Sequence, residues 1–271
     1  MMSIFNLKEH LHALIRQYRQ TNIFHISLVK TLVINFRSLP LRDAIKLPIL
    51  IYDHKFKISS IGKIVFLCPV KTGLVEIGKG FFFDVSRGQL CNTGTIYFEG
   101  RCKILNGVKI SNHGVIKIGD NCSFGEEMKI IIWDRLTLGK MNIFAYGTTI
   151  MDTSGHPVAD IKTGTVCRYT RGITLGDYCW YGNSCKICPG TIIPSHTIVS
   201  NLSLLNKDYS LITEYSLLGG IPARVLKEGV VKIDRLDVWN DIKTRFHQDS
   251  QLEQINIKHL IDSELSSLSE Y

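Results

Sequence analysis

His156 stands in Ser154-Gly155-His156-Pro157-Val158, with Asp152 just before it and Arg168 and Arg171 after it. A hydroxyl is a poor nucleophile at neutral pH. Imidazole is the side chain whose ordinary pKa lets it take the proton as such a group attacks. A base of this kind needs an acceptor on its other ring nitrogen, from a carboxylate or a backbone carbonyl. Asp152 is one candidate, although it would equally serve as a turn residue. Glu126 is another, with three readings: it binds a hydroxyl, it orients His156, or it is a solvated edge charge. By residue context alone, an exposed loop histidine with no task is the simpler reading of His156.

The eight cysteines do not suggest a disulfide scaffold in a chain of this length. Cys185-Lys186-Ile187-Cys188 is a lone C-x-x-C, and zinc sites of that type need a second pair. A reducing cytoplasm is the expectation. Lys8, Glu9 and Arg16 also stand where a signal peptide would place its apolar core. No stretch reaches the roughly 18 apolar residues of a membrane span. Over 271 residues, Lys+Arg 32 against Asp+Glu 24 gives a net charge of +8, which favours an anionic partner. Nucleic acid has only this charge behind it, with no aromatic-interleaved basic motif. With 45% hydrophobic and 21% charged residues, wholesale disorder is excluded.

Three zones must position these groups. From Leu7 to about Leu47 the pattern is helical, with Leu7, Leu11, Leu14 and Tyr18 on one stripe. From Val238 onward Val238, Trp239, Ile242 and Phe246 make a second stripe, read as a packing surface able to cap a repeat. Between them helical periodicity vanishes and a period of six takes over. Ile118-Gly119-Asp120-Asn121-Cys122-Ser123 is followed by Phe124-Gly125-Glu126-Glu127-Met128-Lys129 and then by Ile130. The frame returns at Leu138, Phe144, Ile150, Leu175, Tyr181, Ile187, Ile193 and Val199. Upstream it fits Ile77, Phe83, Phe98, Ile104 and Ile110.

Three such units make one triangular coil of about 18 residues. The apolar first position points into the prism and the small residue after it permits the tight corner. The fifth position also faces inward, so Cys102, Cys122, Cys179 and Cys185 read as small core residues rather than redox or metal groups. Phe98 to Ile118 and Ile118 to Leu138 each step 20 residues, which places two extra residues at a corner. Ile150 to Leu175 is 25 residues, and the excess is the segment that carries His156. Solenoids put their insertions on one face, often the binding face.

This hexapeptide pattern, over about residues 75 to 228, resembles the hexapeptide-repeat acyltransferases. These include the galactoside, maltose and serine O-acetyltransferases and the polysaccharide O-acetyltransferases of capsule and O-antigen clusters. The resemblance implies an all-β core built as a left-handed parallel β-helix, with helical segments at both ends. The expected organisation is a helical segment over 1–57, the β-helix over 58–228 with an active-site loop at about 151–172, and a helical extension over 229–271.

The loop around His156 is similar to the catalytic loop of the galactoside branch, which makes His156 the expected general base. Thirty residues upstream that branch has an acceptor-touching asparagine; Glu126 stands here instead. Trp180-Tyr181-Gly182-Asn183, Cys188-Pro189-Gly190-Thr191-Ile192, Ser203-Leu204-Leu205-Asn206-Lys207-Asp208 and Gly219-Gly220-Ile221-Pro222-Ala223-Arg224 follow the family's coenzyme A tract in order and spacing. By resemblance, Asn183 and Asn201 lie along the pantetheine arm, and Asn206, Lys207, Arg224 and Lys227 near the nucleotide phosphates. Lysine and arginine suit that role, as they equally suit a solvated surface. Ser200-Asn201-Leu202 replaces a small pair in the family and leaves the acyl group open.

The resemblance therefore implies an acetyl-CoA-dependent O-acetyltransferase that acts on a sugar hydroxyl of a cell-surface glycan or its precursor. No metal is required, and the expected assembly is a C3 homotrimer with its groove between chains. Serine O-acetylation, amino-sugar N-acetylation and a non-catalytic β-helix scaffold are the alternatives. A γ-carbonic-anhydrase type zinc trio would have to come from His113, His156 and His196, which are widely spaced. The segment from Leu32 to Ile49 resembles the leading segment of the polysaccharide enzymes. Core packing is its first reading and contact with a membrane that carries a lipid-linked acceptor its second.

Overall fold

A computed structural model describes residues 26–80, 86–258, 260 and 261. The stripe at Leu7, Leu11, Leu14 and Tyr18 and the repeat position Phe83 lie outside the described residues. The chain divides into two units, 1–230 and 231–271.

The larger unit is a left-handed parallel β-helix. Its strands fall into three sheets visited in the same rotation on every coil. Sheet A has nine strands, from Ile49–Ile51 to Ala223–Lys227. Sheet B has seven, from Lys57–Ser60 to Leu204–Leu205, and sheet C six, from Lys63–Phe66 to Ile192–Ile193. All pairings inside the prism are parallel; the final Leu217–Gly220/Ala223–Lys227 hairpin alone is antiparallel among the described strands. Six complete coils at the usual strand spacing give a prism about 29 Å long. The first strand begins at Ile49, ahead of the hexapeptide frame, and pairs in register with Val75–Ile77.

The period of six is explained by what each position meets. Every described first-position residue of the frame, from Ile77 to Val199, is buried. Full burial of such a side chain contributes roughly 1.5–3 kcal/mol. Equivalent residues stack from coil to coil, as in Phe124–Phe144–Tyr181, with centroids 5.3 and 4.6 Å apart. Cys102, Cys122, Cys179 and Cys185 fill the fifth positions as buried free thiols. Burial pushes the Cys122 thiol up to about 12. The glycine after the apolar residue is demanded by close approach: a Cβ on Gly119 would lie 2.4 Å from the Gly139 carbonyl of the next coil.

Helix α1 (Leu28–Ser38) closes the open end of the prism. An uncovered first strand would leave its backbone groups unpaired. Asn35, wholly buried, donates to the Thr31 and Ile49 carbonyls at 2.7 Å each and accepts from Ile49 N at 3.2 Å. Thr31 Oγ1 accepts from Ile51 N at 3.1 Å. The opposite face of α1 carries Val29, Leu32 and Phe36, all exposed. A short helix, α2 (Leu41–Ala44), follows. In the smaller unit, α3 (Leu236–Gln248) buries Val238, while Trp239 and Phe246 of its expected packing stripe are 48% and 40% exposed.

Candidate active site

The prism has three edges, and the corner between sheets B and C is where the regular coil is enlarged. In the 20-residue coils this corner holds Asn92-Thr93-Gly94, Asn112-His113-Gly114 and Ile132-Trp133-Asp134, one above another. Asn112 donates to Asn92 Oδ1 at 2.8 Å, a buried rung between coils. The next coil continues the column with Asp152, and there the corner opens into the long insertion.

That insertion is an arm of paired chain. Thr153 bridges Thr170 and Ala159 bridges Val166, both antiparallel. Its tip is tied by Asp160, whose carboxylate accepts from Lys162 N and Thr163 N at 2.8 and 2.9 Å. Backbone N–H donation from Thr163 and Lys162 lowers the Asp160 pKa. His156 lies exposed near the root, and among the described residues its ring has no hydrogen-bond partner within the chain. Gly155 before it has φ +78 and open space around it, so its freedom rather than its size is used. One ring nitrogen of His156 is thus available to take a proton, and the other needs a partner from elsewhere.

Asp152 does not offer that partner. It is wholly buried, and its carboxylate accepts from Trp133 N at 2.8 Å, Asp134 N at 2.7 Å and Arg135 N at 2.8 Å. Its backbone carbonyl accepts from Arg171 N, closing the arm's root. Glu126 lies at a different edge, between sheets A and B, and is 3% exposed, which excludes the solvated-charge reading. Its Oε1 packs on Gly80, where a Cβ would come within 2.1 Å.

The expected coenzyme tract divides the same way. Asn183 and Asn201 occupy the A–B edge, where Asn201 Oδ1 accepts from Asn183 N at 2.8 Å. Leu202 projects there at φ 58, two-thirds exposed. Asn206 and Lys207 occupy the B–C edge with the arm. The Lys207 ammonium lies 5.2 Å from the centre of the Tyr209 ring. Arg224 and Lys227 are exposed on the terminal hairpin. One prism therefore keeps His156, Asn206 and Lys207 on one edge, and Glu126, Asn183 and Asn201 on another.

The three histidines of the repeat zone do not converge. His113 is at the B–C edge and His156 on the arm. His196 is at the C–A edge, stacked between Tyr178 and Tyr215 at 5.0 and 4.6 Å. Among the described residues no group of three His, Cys, Asp or Glu could hold a metal ion. A cleft of about 670 Å³ lies at the C–A edge, lined by Glu99, Arg101 and Asp120 among others, away from the arm. Sequence reasoning missed the Trp133 corner directly beneath the arm. Its signal was the two-residue excess of the 20-residue coils, whose side chains have no place in the prism interior.

No family model matches the chain. A Saccharomyces cerevisiae protein named as an acetyltransferase is 26% identical over 113 residues, 42% of this chain and 56% of the relative. Galactoside O-acetyltransferase of Escherichia coli is 29% identical over 113 residues, 42% of this chain and 54% of the relative. The chain thus spans about half the length of these curated relatives. Among solved structures, the polySia-specific acetyltransferase NeuO aligns with TM-score 0.47 and 16% identity over 72% of this chain and 99% of that one. The Bacillus cereus N-acyltransferase AntD, solved with dTDP and 3-hydroxybutyryl-CoA, aligns with TM-score 0.44 and 15% identity over 84% and 100%. By its hexapeptide coils and the sequences it matches, the chain resembles the hexapeptide-repeat acyltransferases.

Proposed function

We propose that the protein is an acyl-CoA-dependent O-acyltransferase that transfers acetyl from acetyl-CoA to a sugar hydroxyl of a capsule- or O-antigen-type glycan or its precursor, in the cytoplasm. The observation that carries this reading is the long interruption of the coil between Ile150 and Leu175, which presents His156 exposed on a hydrogen-bonded arm. The coenzyme-type tract follows it on the next coils. His156 takes the proton of the acceptor hydroxyl as its oxygen bonds to the thioester carbon. The carbon–sulfur bond then breaks and the departing thiolate receives the proton. Loss of the base lowers turnover by about 10²–10⁴.

The residues fit the donor. Lys207, Arg224 and Lys227 are cations able to hold phosphates, Arg224 with paired donors. Asn183 and Asn201 offer amides along a corner. The proposed assembly is a homotrimer, in which a neighbouring copy brings its A–B edge, with Asn183 and Asn201, to the arm and Lys207 of the first. The second partner for the His156 ring comes from the same assembly.

Acetyl-CoA binding by calorimetry tests the reading without knowledge of the acceptor. The wild-type trimer binds, and the Lys207→Ala/Arg224→Ala double variant binds more weakly. His156→Ala keeps donor binding and loses transfer. A folded trimer that binds no acyl-CoA would favour the scaffold alternative.

A further inference from the structure

Two kinds of side chain recur where proteins hold acidic sugars: an exposed aromatic ring for the apolar face of the pyranose, and a guanidinium for its carboxylate. Both stand at the B–C corner under the arm. Trp133 is 49% exposed, so its indole face is open to solvent at this corner. Its ring meets the His113 ring edge-on, with centroids 5.5 Å apart. His113 is in turn held by hydroxyls on both ring nitrogens, Thr93 Oγ1 at 2.8 Å and Ser111 Oγ at 3.3 Å.

Two residues beyond Trp133, the Arg135 guanidinium lies over Gly172, so close that a Cβ there would meet its Nε at 3.3 Å. The exposed Val115 is its in-register neighbour on the coil below. Arg171, at the end of the arm, packs its stem against Gly190 of the next coil. Among the described residues neither guanidinium has a carboxylate within ion-pair distance. The corner is also pre-formed, because the buried Asp152 carboxylate fixes the backbone of Trp133, Asp134 and Arg135. Trp133 sits one coil, about 4.8 Å, below the first residues of the arm.

We infer that Trp133, Arg135 and Arg171 form a recognition site for an acidic sugar unit of the acceptor chain, flanking the unit that receives the acyl group. This rests on the acyltransferase reading above and narrows its acceptor to an acidic oligosaccharide. The indole takes the ring face of the flanking sugar, the two guanidiniums take its carboxylate, and His113 props the indole from below.

The test uses the full chain and three probes: an oligogalacturonate, a hyaluronan oligosaccharide and a neutral dextran oligosaccharide of equal length. Binding is read by saturation-transfer NMR and calorimetry for wild type, Trp133→Ala and Arg135→Gln. Melting temperature and assembly size are measured on the same samples. Asp152 bonds the Trp133 backbone and not its ring, so both variants fold. The expected result is that at least one acidic oligosaccharide binds, the neutral one binds at least tenfold more weakly, and each variant loses about tenfold. The salt dependence of binding should flatten in Arg135→Gln.

Equal binding of the neutral probe, unchanged affinity in the variants, or no binding of either acidic probe would overturn the site. So would dissociation of the assembly by Trp133→Ala, which would make the indole a subunit contact. Acetyl-CoA binding on the same protein separates the two readings. If the donor binds and the sugars fail, only this inference falls; if the donor fails, the acyltransferase reading falls first.

Discussion

Replacing Asp152 by Asn removes one charge from the buried root of the arm and changes almost no volume. In the native corner Oδ1 accepts one backbone N–H, and Oδ2 accepts two. An asparagine in its better orientation keeps the pair from Asp134 and Arg135 and turns its own NH₂ toward Trp133 N–H. The two surviving bonds fall from charged to neutral strength, a loss of about 1 kcal/mol each, and an orphaned buried donor costs about 1–3 kcal/mol more. The sum, about 3–5 kcal/mol, lowers the melting temperature by roughly 6–20 °C in a domain of this size. Circular dichroism melting, with hydrogen exchange at the amides of Trp133, Asp134 and Arg135, measures both the size and the place of the effect. A melting point within about 2 °C of wild type, with those amides still protected, would refute the reasoning. If turnover collapsed in such a variant, Asp152 would instead be the partner of His156.

Three further outcomes are expected. Asn35→Ala leaves Ile49 N and two carbonyls without their partner at the capped end; it should cost about 2–4 kcal/mol in denaturant unfolding. The raised thiol of Cys122 stabilises the folded state fully below the unfolded value of 9.0, and that stability is lost as pH rises toward about 12. Melting curves between pH 8 and 11 should therefore fall less steeply in Cys122→Ala, and parallel curves would discount the thiol. The exposed Val29, Leu32 and Phe36 of α1 are expected to hold the protein on anionic vesicles, with flotation lost in Val29→Ser/Phe36→Ser. Absence of the wild type from the vesicle fraction would leave that face to packing within the protein.

The coil was legible in the sequence because its rule is local. A hexapeptide that buries its first and fifth residues does so on every turn, so Ile118, Phe124 and Ile130 announce the prism without any distant contact. The arm was legible for the same reason, as a long lapse of the frame from Ile150 to Leu175. Asp152 and Glu126 show where this ends. Both are acids that a linear reading offers as partners of His156, Asp152 four residues before it and Glu126 one coil earlier. In the folded chain Asp152 turns inward to three backbone N–H groups, and Glu126 is buried at another edge. Which edge a residue occupies depends on how many residues each corner consumes, and only the stacked coils settle that count. The same stacking put Trp133, Arg135 and Arg171, which have no common motif, beside one another under the arm. Periodicity thus determined the scaffold and the position of its interruption. The register between coils, which sequence spacing does not encode once corners vary in length, decided which side chains meet.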